Sequence, residues 1–403
     1  MKPKINKCTM TFRRKLLISL VLVAVFSQIP FAFRRYQLSL LAKNLSELNQ
    51  EKIEASNEFR DYKGIIHAHT SLGGHSTGQF EELIKAANTN QLDFVIMTEH
   101  TSELFDSSAL TLSGFVGNTL FINGQEVDTA SSDRFLMIPG HADSFADAKL
   151  NTEQFIDKYK SQGRLILVAY PERLKTPQAN FDGIEVFSLN TNARRMNPFL
   201  FLFDYIWSGS LSDLLLTKYF MRPGENLRQY DELTEKKKLT LFAGSDAHSN
   251  IGFFLLGDDT GRKILYLKLD PYEKVFRLMR NHVLIEKGKE LNQETLLQAI
   301  RDGRLYIGID RWADPTGFSF TANEEKTMGD EIKLEKVPLR LNVNSPFPAR
   351  IILFRNGQKI AETEGKTANF EVTENGAYRV ELYLEALGLT KMPWIISNPI
   401  YVR

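Results

Sequence analysis

The sequence predicts an α/β fold, placed between an apolar N-terminal segment and a small all-β unit at the C-terminus. Within residues 61–311, short β-branched runs alternate with stretches of helical periodicity. The clearest unit begins with a strand at Gly64–Ile66, continues through a helix at Phe80–Ala87 and returns to a strand at Phe94–Met97. This strand–helix–strand order indicates parallel strands, and Leu239–Ala243 is a later run of the same kind.

The pattern changes from about Trp312, where short alternating runs follow one another without helical stretches. Asn356-Gly357 is a dipeptide typical of a two-residue hairpin turn. We therefore predict that residues 312–403 form a small, immunoglobulin-like β-sandwich. Residues 1–60 are predicted to form an anchor or signal helix followed by a polar stalk. The α/β unit of residues 61–311 lies between these two parts.

The composition is that of an ordinary globular protein. Of the 403 residues, 43% are hydrophobic and 25% are charged, which is enough for a sizeable core. A formal net charge of +1 gives no reason to expect nucleic acid as a partner. The single cysteine, Cys8, excludes an internal disulfide framework. The sequence makes no prediction about the oligomeric state.

The N-terminal segment predicts that the chain meets a membrane. An apolar run, Leu16–Phe33, follows six basic residues: Lys2, Lys4, Lys7, Arg13, Arg14 and Lys15. The run is about as short as a membrane-spanning helix can be, and Val25–Ser27 is a tolerable cleavage site, so a signal anchor and a cleaved signal both fit. In either case the positive charge before the run predicts that the remainder of the chain lies outside the cytoplasm.

Histidines and carboxylates recur at the ends of the predicted strands. The set consists of His67, His69, His75, His100, Glu126, Asp246 and His248. A histidine taken alone is more often structural, but random placement rarely puts a whole set at strand ends. Because the carboxyl ends of parallel strands meet at one edge, this set predicts a hydrolytic metal site there.

The side-chain types indicate which ions such a site would bind. Since side chains alternate along an extended segment, His67 and His69 are expected to point the same way and share an ion. Carboxylates beside imidazoles suit Zn, Mn or Fe, and the lack of further cysteines excludes a thiolate site. Two ions about 3.5–4 Å apart can lower the pKa of water, and they can bind both the attacking and the leaving oxygen when a phosphoester is hydrolysed.

In their order along the chain, these motifs resemble those of the polymerase and histidinol phosphatase (PHP) metal-dependent phosphoesterases. The motifs are His67-x-His69 with His75, a strand ending in His100, Gly124-Gln125-Glu126, and Asp246-x-His248 after Gly244-Ser245; Asp182–Phe187 resembles a further strand. The resemblance covers residues 61–310. The N-terminal anchor and C-terminal sandwich are similar to those of extracytoplasmic members of the carbaryl-hydrolase-like branch.

The resemblance implies a distorted seven-stranded (β/α) barrel with two or three metal ions at its C-terminal mouth. It assigns one ion to four ligands and another ion to three. The four are His67, His69, Glu126 and Asp246, and the three are His75, His100 and His248.

Two positions depart from the family pattern. Tyr170 and Arg134 stand where the family usually has histidines, and both histidines would serve the ion that shares Glu126. We therefore predict two ions rather than three, with His141 as the alternative ligand that would compensate. Tyr170 and Arg134 could instead stabilise a non-bridging oxygen as hydrogen-bond donors, which places them with Glu126 and Asp246 in the predicted catalytic set.

An aromatic stretch interrupts the α/β pattern. Asn197–Trp207 is rich in Phe, Leu and Trp, and Leu211–Phe220 continues it. One interpretation is a buried helical insertion that covers the barrel. The other is a lid or interfacial surface that accepts a lipid-linked substrate near the anchor.

Three classes of function remain open. The first is hydrolysis of a phosphoester by metal-activated water, on a small or lipid-linked substrate. The second is hydrolysis of a carbamate, carboxylic ester or amide by the same site. The third is a membrane-tethered binding module without turnover, which Tyr170 and Arg134 favour and the complete His67-x-His69 and Asp246-x-His248 pairs oppose.

Overall fold

The structure is a computed structural model that describes residues 11–50, 58–193, 196–257, 263–334 and 338–403. It is a mixed α/β fold with one large sheet and an apolar helix near the N-terminus. Cys8 and the basic residues Lys2, Lys4 and Lys7 lie outside the described residues.

Two consecutive helices begin the described chain, α1 (Phe12–Phe26) and α2 (Ile29–Leu48). Every residue of α1 is exposed. Together the two helices are long and apolar enough to cross a membrane, with a mean hydropathy of 2.3 in the most apolar stretch. The second half of α2 instead packs on the protein, because Leu38, Leu41 and Leu45 are buried in the main core. The N-terminal segment is therefore a candidate membrane anchor or signal sequence.

Residues 58–308 alternate strands and helices. In chain order the elements are β1 (Phe59–Ala68), α3 (Phe80–Thr89), β2 (Phe94–Met97), β3 (Glu99–His100), α4 (Ser107–Leu110), β4 (Gly114–Val116), β5 (Thr119–Ile122), β6 (Gln125–Asp128), β7 (Arg134–Ile138), α5 (Ser144–Asp147), α6 (Thr152–Lys160), β8 (Leu165–Val168), β9 (Gly183–Ser188), α7 (Leu189–Ala193), α8 (Pro198–Ser208), α9 (Ser212–Lys218), α10 (Gly224–Thr234), β10 (Thr240–Ala247), β11 (Gly252–Gly257), β12 (Lys263–Lys268), α11 (Tyr272–Leu278), β13 (Arg280–Glu286), α12 (Gln293–Arg301) and β14 (Leu305–Gly308).

The predicted parallel strands pair in a regular succession. β1 lies between β2 and β10 and is parallel to both. β2 is also parallel to β5, and β10 is parallel to β9. Because parallel strands end at the same edge of a sheet, the residues that follow β1, β2 and β10 come together there.

One strand of the succession is reversed. β7 is antiparallel to both β6 and β8, and β8 is parallel to β9. The register places Arg134, the first residue of β7, opposite Asp128 at the end of β6. Arg134 therefore lies at the edge where the neighbouring strands end, whereas the residues after Ile138 lie at the other edge.

These strands are buried on both faces. In β2, Phe94 and Ile96 belong to one core cluster, and Val95 and Met97 belong to another. A continuous run of apolar residues is typical of parallel strands covered on both sides. Burial of this kind fixes the strand register, since a slip of one residue would move every side chain to the opposite face.

In the C-terminal part, the elements among the described residues are strands, apart from a short 3-10 turn. They are β15 (Ser319–Ala322), β16 (Lys326–Thr327), β17 (Glu331–Ile332), β18 (Leu339–Arg355), β19 (Gln358–Val372), β20 (Gly376–Tyr383), β21 (Ile395–Ser397) and β22 (Ile400–Val402). The predicted hairpin at Asn356-Gly357 joins β18 to β19, with positive φ angles of 48° and 76°. β21 pairs with β14, so this part continues the large sheet.

Candidate metal centre

The predicted site begins with an irregular backbone at the ends of β1 and β10 and just after β8. His67, Tyr170 and Asp246 have positive φ angles of 71°, 52° and 47°. Such angles are uncommon for residues with a side chain and often occur at functional sites. The pairing of β1 with both neighbours shifts register between Ile66 and Ala68. The regular alternation predicted for His67 and His69 is therefore interrupted, yet their ring centroids lie 5.1 Å apart.

Among the described residues, one candidate ion-binding group consists of His67, His69 and Asp246, all of them buried. The Nε2 atoms of both histidines lie 3.5 Å from Asp246 Oδ1. Glu126 adjoins this group, with its two oxygens 3.7 Å from His67 Nε2 and 3.5 Å from His69 Nε2. The four side chains assigned to one ion by the family resemblance are thus brought together.

A second group shares His69 and adds His100 and His248. His75 lies beside it, with its Nε2 atom 2.6 Å from His248 Nε2 and 3.3 Å from His100 Nε2. Glu126 Oε2 is 3.2 Å from His100 Nε2, so this carboxylate borders both groups. The sharing of His69 and Glu126 makes the two groups one continuous cluster.

The unpaired atoms of the cluster fit a metal ion. His67 Nε2, both ring nitrogens of His69 and Asp246 Oδ1 are buried and have no hydrogen-bond partner among the described residues. An orphaned buried polar atom is costly, so these four require a partner of another kind. Ligand atoms about 2.0–2.1 Å from a tetrahedral ion lie about 3.3 Å from one another, close to the 3.2–3.7 Å separations between the imidazole nitrogens and the carboxylate oxygens of Glu126 and Asp246.

The ionisation of the cluster also suits a metal. Burial lowers the pKa of His69 to about 3 and that of His100 to about 4, which keeps both imidazoles neutral at neutral pH. Burial opposes the charge of Glu126, but the contacts with His67 outweigh it and lower the pKa of this carboxyl to about 2. Neutral imidazoles and ionised carboxylates are the forms that bind metal ions, so His69, His100 and Glu126 are in the binding form. The pKa of His67 is instead raised by the Glu185 and Asp246 carboxylates, so this imidazole would release a proton on binding a metal ion.

Tyr170 occupies the position where the family resemblance predicts a histidine. Its hydroxyl donates a hydrogen bond to Asp246 Oδ2. Burial and the neighbouring Asp246 carboxylate raise the pKa of this phenol, so it remains a donor. Tyr170 therefore orients Asp246 and leaves its other oxygen, Oδ1, facing His67 and His69.

Arg134 brings a positive charge to the rim of the cluster. Its Nε and Nη2 atoms each lie 2.7 Å from an oxygen of Asp128, a bidentate pair that fixes the guanidinium. Nη1 is 3.4 Å from Glu126 Oε1, and the guanidinium lies 5.5 Å from the centroid of the Tyr170 ring. Arg134 and Tyr170 thus form one side of the site.

Glu185 was not singled out in the sequence, although it belongs to the strand that resembles the family. It is completely buried in β9, and its Oε1 lies 3.1 Å from His67 Nδ1. A Cβ atom on Gly244 would lie 1.4 Å from the same oxygen, so the glycine of the Gly244-Ser245-Asp246 motif provides the space for this carboxylate. A charged residue inside an otherwise apolar strand was the signal available in the sequence.

The structure does not bring His141 to the cluster. His141 follows the far end of β7, where its ring lies 5.5 Å from that of Tyr159 and its backbone N–H donates to Gln125 Oε1. Glu99 also turns away, because its carboxylate accepts hydrogen bonds from Thr70 and Thr111. Neither residue belongs to the groups described above.

Two cavities meet at the cluster. A polar cavity of 440 Å³ is lined by His75, His100, Glu126, Arg134, Tyr170, Asp246, His248 and Asn250. An apolar cavity of 310 Å³ shares Asp246, His248 and Asn250 with it. The cluster is therefore accessible from a polar side and from an apolar side.

Comparison with known proteins gives distant similarities. No protein-family model matches the chain. The chain is 24% identical over 257 residues to "Putative tyrosine-protein phosphatase CapC" of Staphylococcus aureus. The aligned region covers 55% of this chain and 92% of that protein. The crystal structure of PsfC from Pseudomonas syringae PB-5123 is similar with a TM-score of 0.33 and 13% identity, over 59% of this chain and 87% of that one. The phosphatase relative and the histidine–aspartate groups fit a metal-dependent hydrolase or phosphoesterase.

Proposed function

We propose that the protein is a metal-dependent phosphoesterase of the PHP type. The observation that carries this proposal is the cluster of buried histidine and carboxylate atoms without hydrogen-bond partners among the described residues, at the edge where the strands end. The distant relationship to a protein named as a phosphatase supports the same reaction class.

The proposed fold of residues 61–311 is a distorted seven-stranded barrel. The supporting pairings join β1 to β2, β2 to β5, β3 to β6, β6 to β7, β7 to β8, β8 to β9 and β9 to β10, and β10 pairs with β1 again. β2 and β3 follow one another along the chain, as do β5 and β6. Residues 312–403 are proposed to be a β-sandwich, which is joined to the preceding part by the pairing of β21 with β14. In a barrel, the edge where the strands end is the usual place for an active site.

The cluster would hold two ions of Zn, Mn or Fe. His67, His69, Glu126 and Asp246 would hold one, and His75, His100 and His248 would hold the other. When bound, such ions supply Lewis acidity and lower the pKa of water near the phosphorus atom.

The protein's own side chains would bind and orient the phosphoester. The Arg134 guanidinium, held in place by Asp128, offers a positive donor to a non-bridging phosphate oxygen. The Tyr170 hydroxyl holds Asp246 in one orientation. Glu185 does the same for His67 from the opposite side of the ring.

The charge of Arg134 favours an anionic phosphate over a neutral carbamate, ester or amide. A neutral carbonyl substrate would gain less from a guanidinium, whereas a phosphomonoester carries up to two negative charges near neutral pH. The charge of the preferred substrate therefore distinguishes the phosphoesterase from a hydrolase of carbamates, esters or amides. Turnover distinguishes it from a binding module.

The test compares an aryl phosphate with an aryl ester. The full-length protein is stripped with a chelator, reloaded with Zn²⁺ or Mn²⁺, and assayed on p-nitrophenyl phosphate and p-nitrophenyl acetate. We expect metal-dependent release of p-nitrophenol from the phosphate, and an Arg134→Gln variant with a raised KM for the phosphate. Metal-dependent hydrolysis of the acetate alone would establish the rival hydrolase, and tight metal binding without hydrolysis of either would establish the binding module.

A further inference from the structure

Beside the cluster lies an apolar cavity of 310 Å³, here called the apolar groove, for which phosphate chemistry has no use. Apolar side chains dominate its wall: Leu189, Ala193, Phe201, Leu202, Leu216 and Phe220. Asp246 and His248 line both this groove and the polar cavity. A molecule with its phosphate at the cluster could therefore extend an apolar portion into the groove.

The helix α8 provides one wall of the groove and an exposed apolar face. Phe201 and Leu202 line the groove. The exposed face consists of Phe199, Leu200, Phe203, Ile206 and Trp207, which are between 38% and 76% exposed. Their spacing places them on one side of the helix. Exposed apolar patches of this kind mark membrane or protein interaction surfaces.

The N-terminal helices lie directly beside this face. The rings of Phe31 and Phe203 have centroids 5.2 Å apart, and Trp207 Nε1 donates to Gln28 Oε1 at 3.0 Å. Gln28 lies between α1 and α2, where the exposed apolar helix α1 ends. An ion pair of 3.0 Å between Arg34 and Asp204 fixes the contact further. The exposed face of α8 therefore continues the apolar surface of the candidate membrane helix.

We propose that the substrate is a phosphomonoester of a bilayer lipid, with its hydrocarbon chain in the groove and its phosphate at the metal centre. This inference rests on the proposed phosphoesterase function. Within α8, Trp207 beside the membrane helix and Phe201 in the groove are six residues apart, which is about 9 Å along the helix axis. The membrane helix and the exposed face of α8 would hold the groove at the bilayer surface, where its occupant is supplied.

The proposed reaction balances with water alone. The oxygen of a water molecule bonds to phosphorus as the bond from phosphorus to the lipid alcohol oxygen breaks. A proton passes to the departing alcohol, and the products are inorganic phosphate and the free lipid alcohol. No oxidant, reductant or further co-reactant takes part.

The first test blocks the groove and compares two substrates. Full-length protein is reconstituted in phosphatidylcholine vesicles and assayed on phosphatidate in the bilayer and on soluble p-nitrophenyl phosphate. Ala193→Phe places a ring in the groove, and Ala146→Phe makes the same change on an exposed surface of α5. We expect Ala193→Phe to lower the ratio of phosphatidate to p-nitrophenyl phosphate kcat/KM about 10-fold, the loss of roughly two buried methylene groups. Ala146→Phe should leave the ratio at the unsubstituted value.

The second test measures contact with the bilayer without using activity. Of the three tryptophans, Trp312 and Trp394 are buried and Trp207 is 38% exposed. Phosphatidylcholine with brominated chains should therefore quench Trp207, and a Trp207→Phe variant should lose the quenched component. Replacing exposed Ile206 by Asp should reduce quenching. Phe115→Asp replaces another exposed apolar residue, in β4, and should leave quenching unchanged.

The outcomes separate the lipid proposal from the phosphoesterase proposal. Absence of hydrolysis of either phosphate contradicts the phosphoesterase function, while quenching of Trp207 still reports the bilayer contact. Hydrolysis of p-nitrophenyl phosphate with an unchanged ratio in Ala193→Phe contradicts the lipid proposal alone. Absence of Trp207 quenching in the unsubstituted protein also contradicts it, and leaves α8 as an insertion that covers the site.

Discussion

The Nδ1 atom of His67 lies 3.1 Å from Oε1 of Glu185, and both side chains are completely buried. Burial alone would lower the pKa of His67, but the carboxylates of Glu185 and Asp246 raise it well above its usual value. In metal sites, a carboxylate on the far ring nitrogen fixes the orientation of a histidine ligand. Glu185 is therefore a positioning residue for His67.

The first prediction is that Glu185→Gln weakens metal binding about 10–100-fold, the usual effect of removing such a partner. The measurement is a Zn²⁺ titration against a competing chelator. Glu381→Gln is the matched control, because Glu381 is also completely buried and accepts hydrogen bonds from Arg222 and Arg379 in the C-terminal part. Equal affinity in Glu185→Gln and the unsubstituted protein would show that His67 is oriented without Glu185.

The strand ends and their histidines could be predicted from the sequence because each depends on local pattern. Phe94–Met97 forms a strand because all four of its residues are apolar, and His100 follows three residues later wherever the strand lies. Glu185 was missed because its role depends on the space left by Gly244, which belongs to a neighbouring strand. A contact between strands that are distant in sequence produces no periodic pattern in the sequence of either strand.

The position of His141 also could not be predicted from its spacing. The residue follows a strand, as the cluster histidines do, but β7 is antiparallel to its neighbours. This reversal places Arg134 beside the histidine–carboxylate cluster and His141 at the other end. Strand direction depends on pairing across the sheet, which the sequence of β7 alone does not determine.

The second prediction is that the purified protein holds two metal ions per chain. Tyr170 donates to Asp246 and Arg134 brings a positive charge, so neither position offers a ligand for a third ion. Elemental analysis after dialysis measures the number. Replacing both residues by histidine should raise it to three. A third ion at full occupancy in the unsubstituted protein, with His141 as a ligand, would contradict the prediction.

The third prediction is that the chain after the N-terminal helix lies outside the cytoplasm. Six basic residues precede the apolar run, and basic residues are retained on the cytoplasmic side. A reporter that is active only outside the cytoplasm, fused after Arg403, should be active, and removal of residues 12–26 should abolish that activity. A fused reporter that is active only in the cytoplasm should remain silent, and its activity would reverse the proposed orientation.

The fourth prediction concerns stability, and depends on a buried histidine outside the metal centre. His282 lies between Asp61 and Asp310, at 2.9 Å and 3.1 Å from its two ring nitrogens. Tyr306 stacks on the ring, and Arg280 pairs with Asp310. Burial opposes the charge, but the two carboxylates outweigh it and raise the pKa of His282 to about 9.

Because the pKa of His282 is raised in the fold, its protonated form stabilises the protein. This stabilisation is fully present below pH 6.5, the ordinary pKa of histidine, and is lost as the pH rises through about 9. Removing one partner from a buried charge cluster costs about 3–5 kcal/mol, so His282→Gln should lower the melting temperature markedly near pH 6. The difference from the unsubstituted protein should shrink near pH 10. A difference that stays constant between these pH values would show that His282 is uncharged in the fold.

The central claim is that the histidine–carboxylate cluster binds the metal that the phosphoesterase reaction requires. The most direct measurement is metal content and p-nitrophenyl phosphate hydrolysis in the same preparations of Asp246→Ala and His69→Ala, with Asp143→Ala as a control on an exposed carboxylate. We predict that both cluster variants lose metal and turnover together while the control retains both. An Asp246→Ala protein that binds metal normally and hydrolyses the phosphate at the unsubstituted rate would place the active site elsewhere.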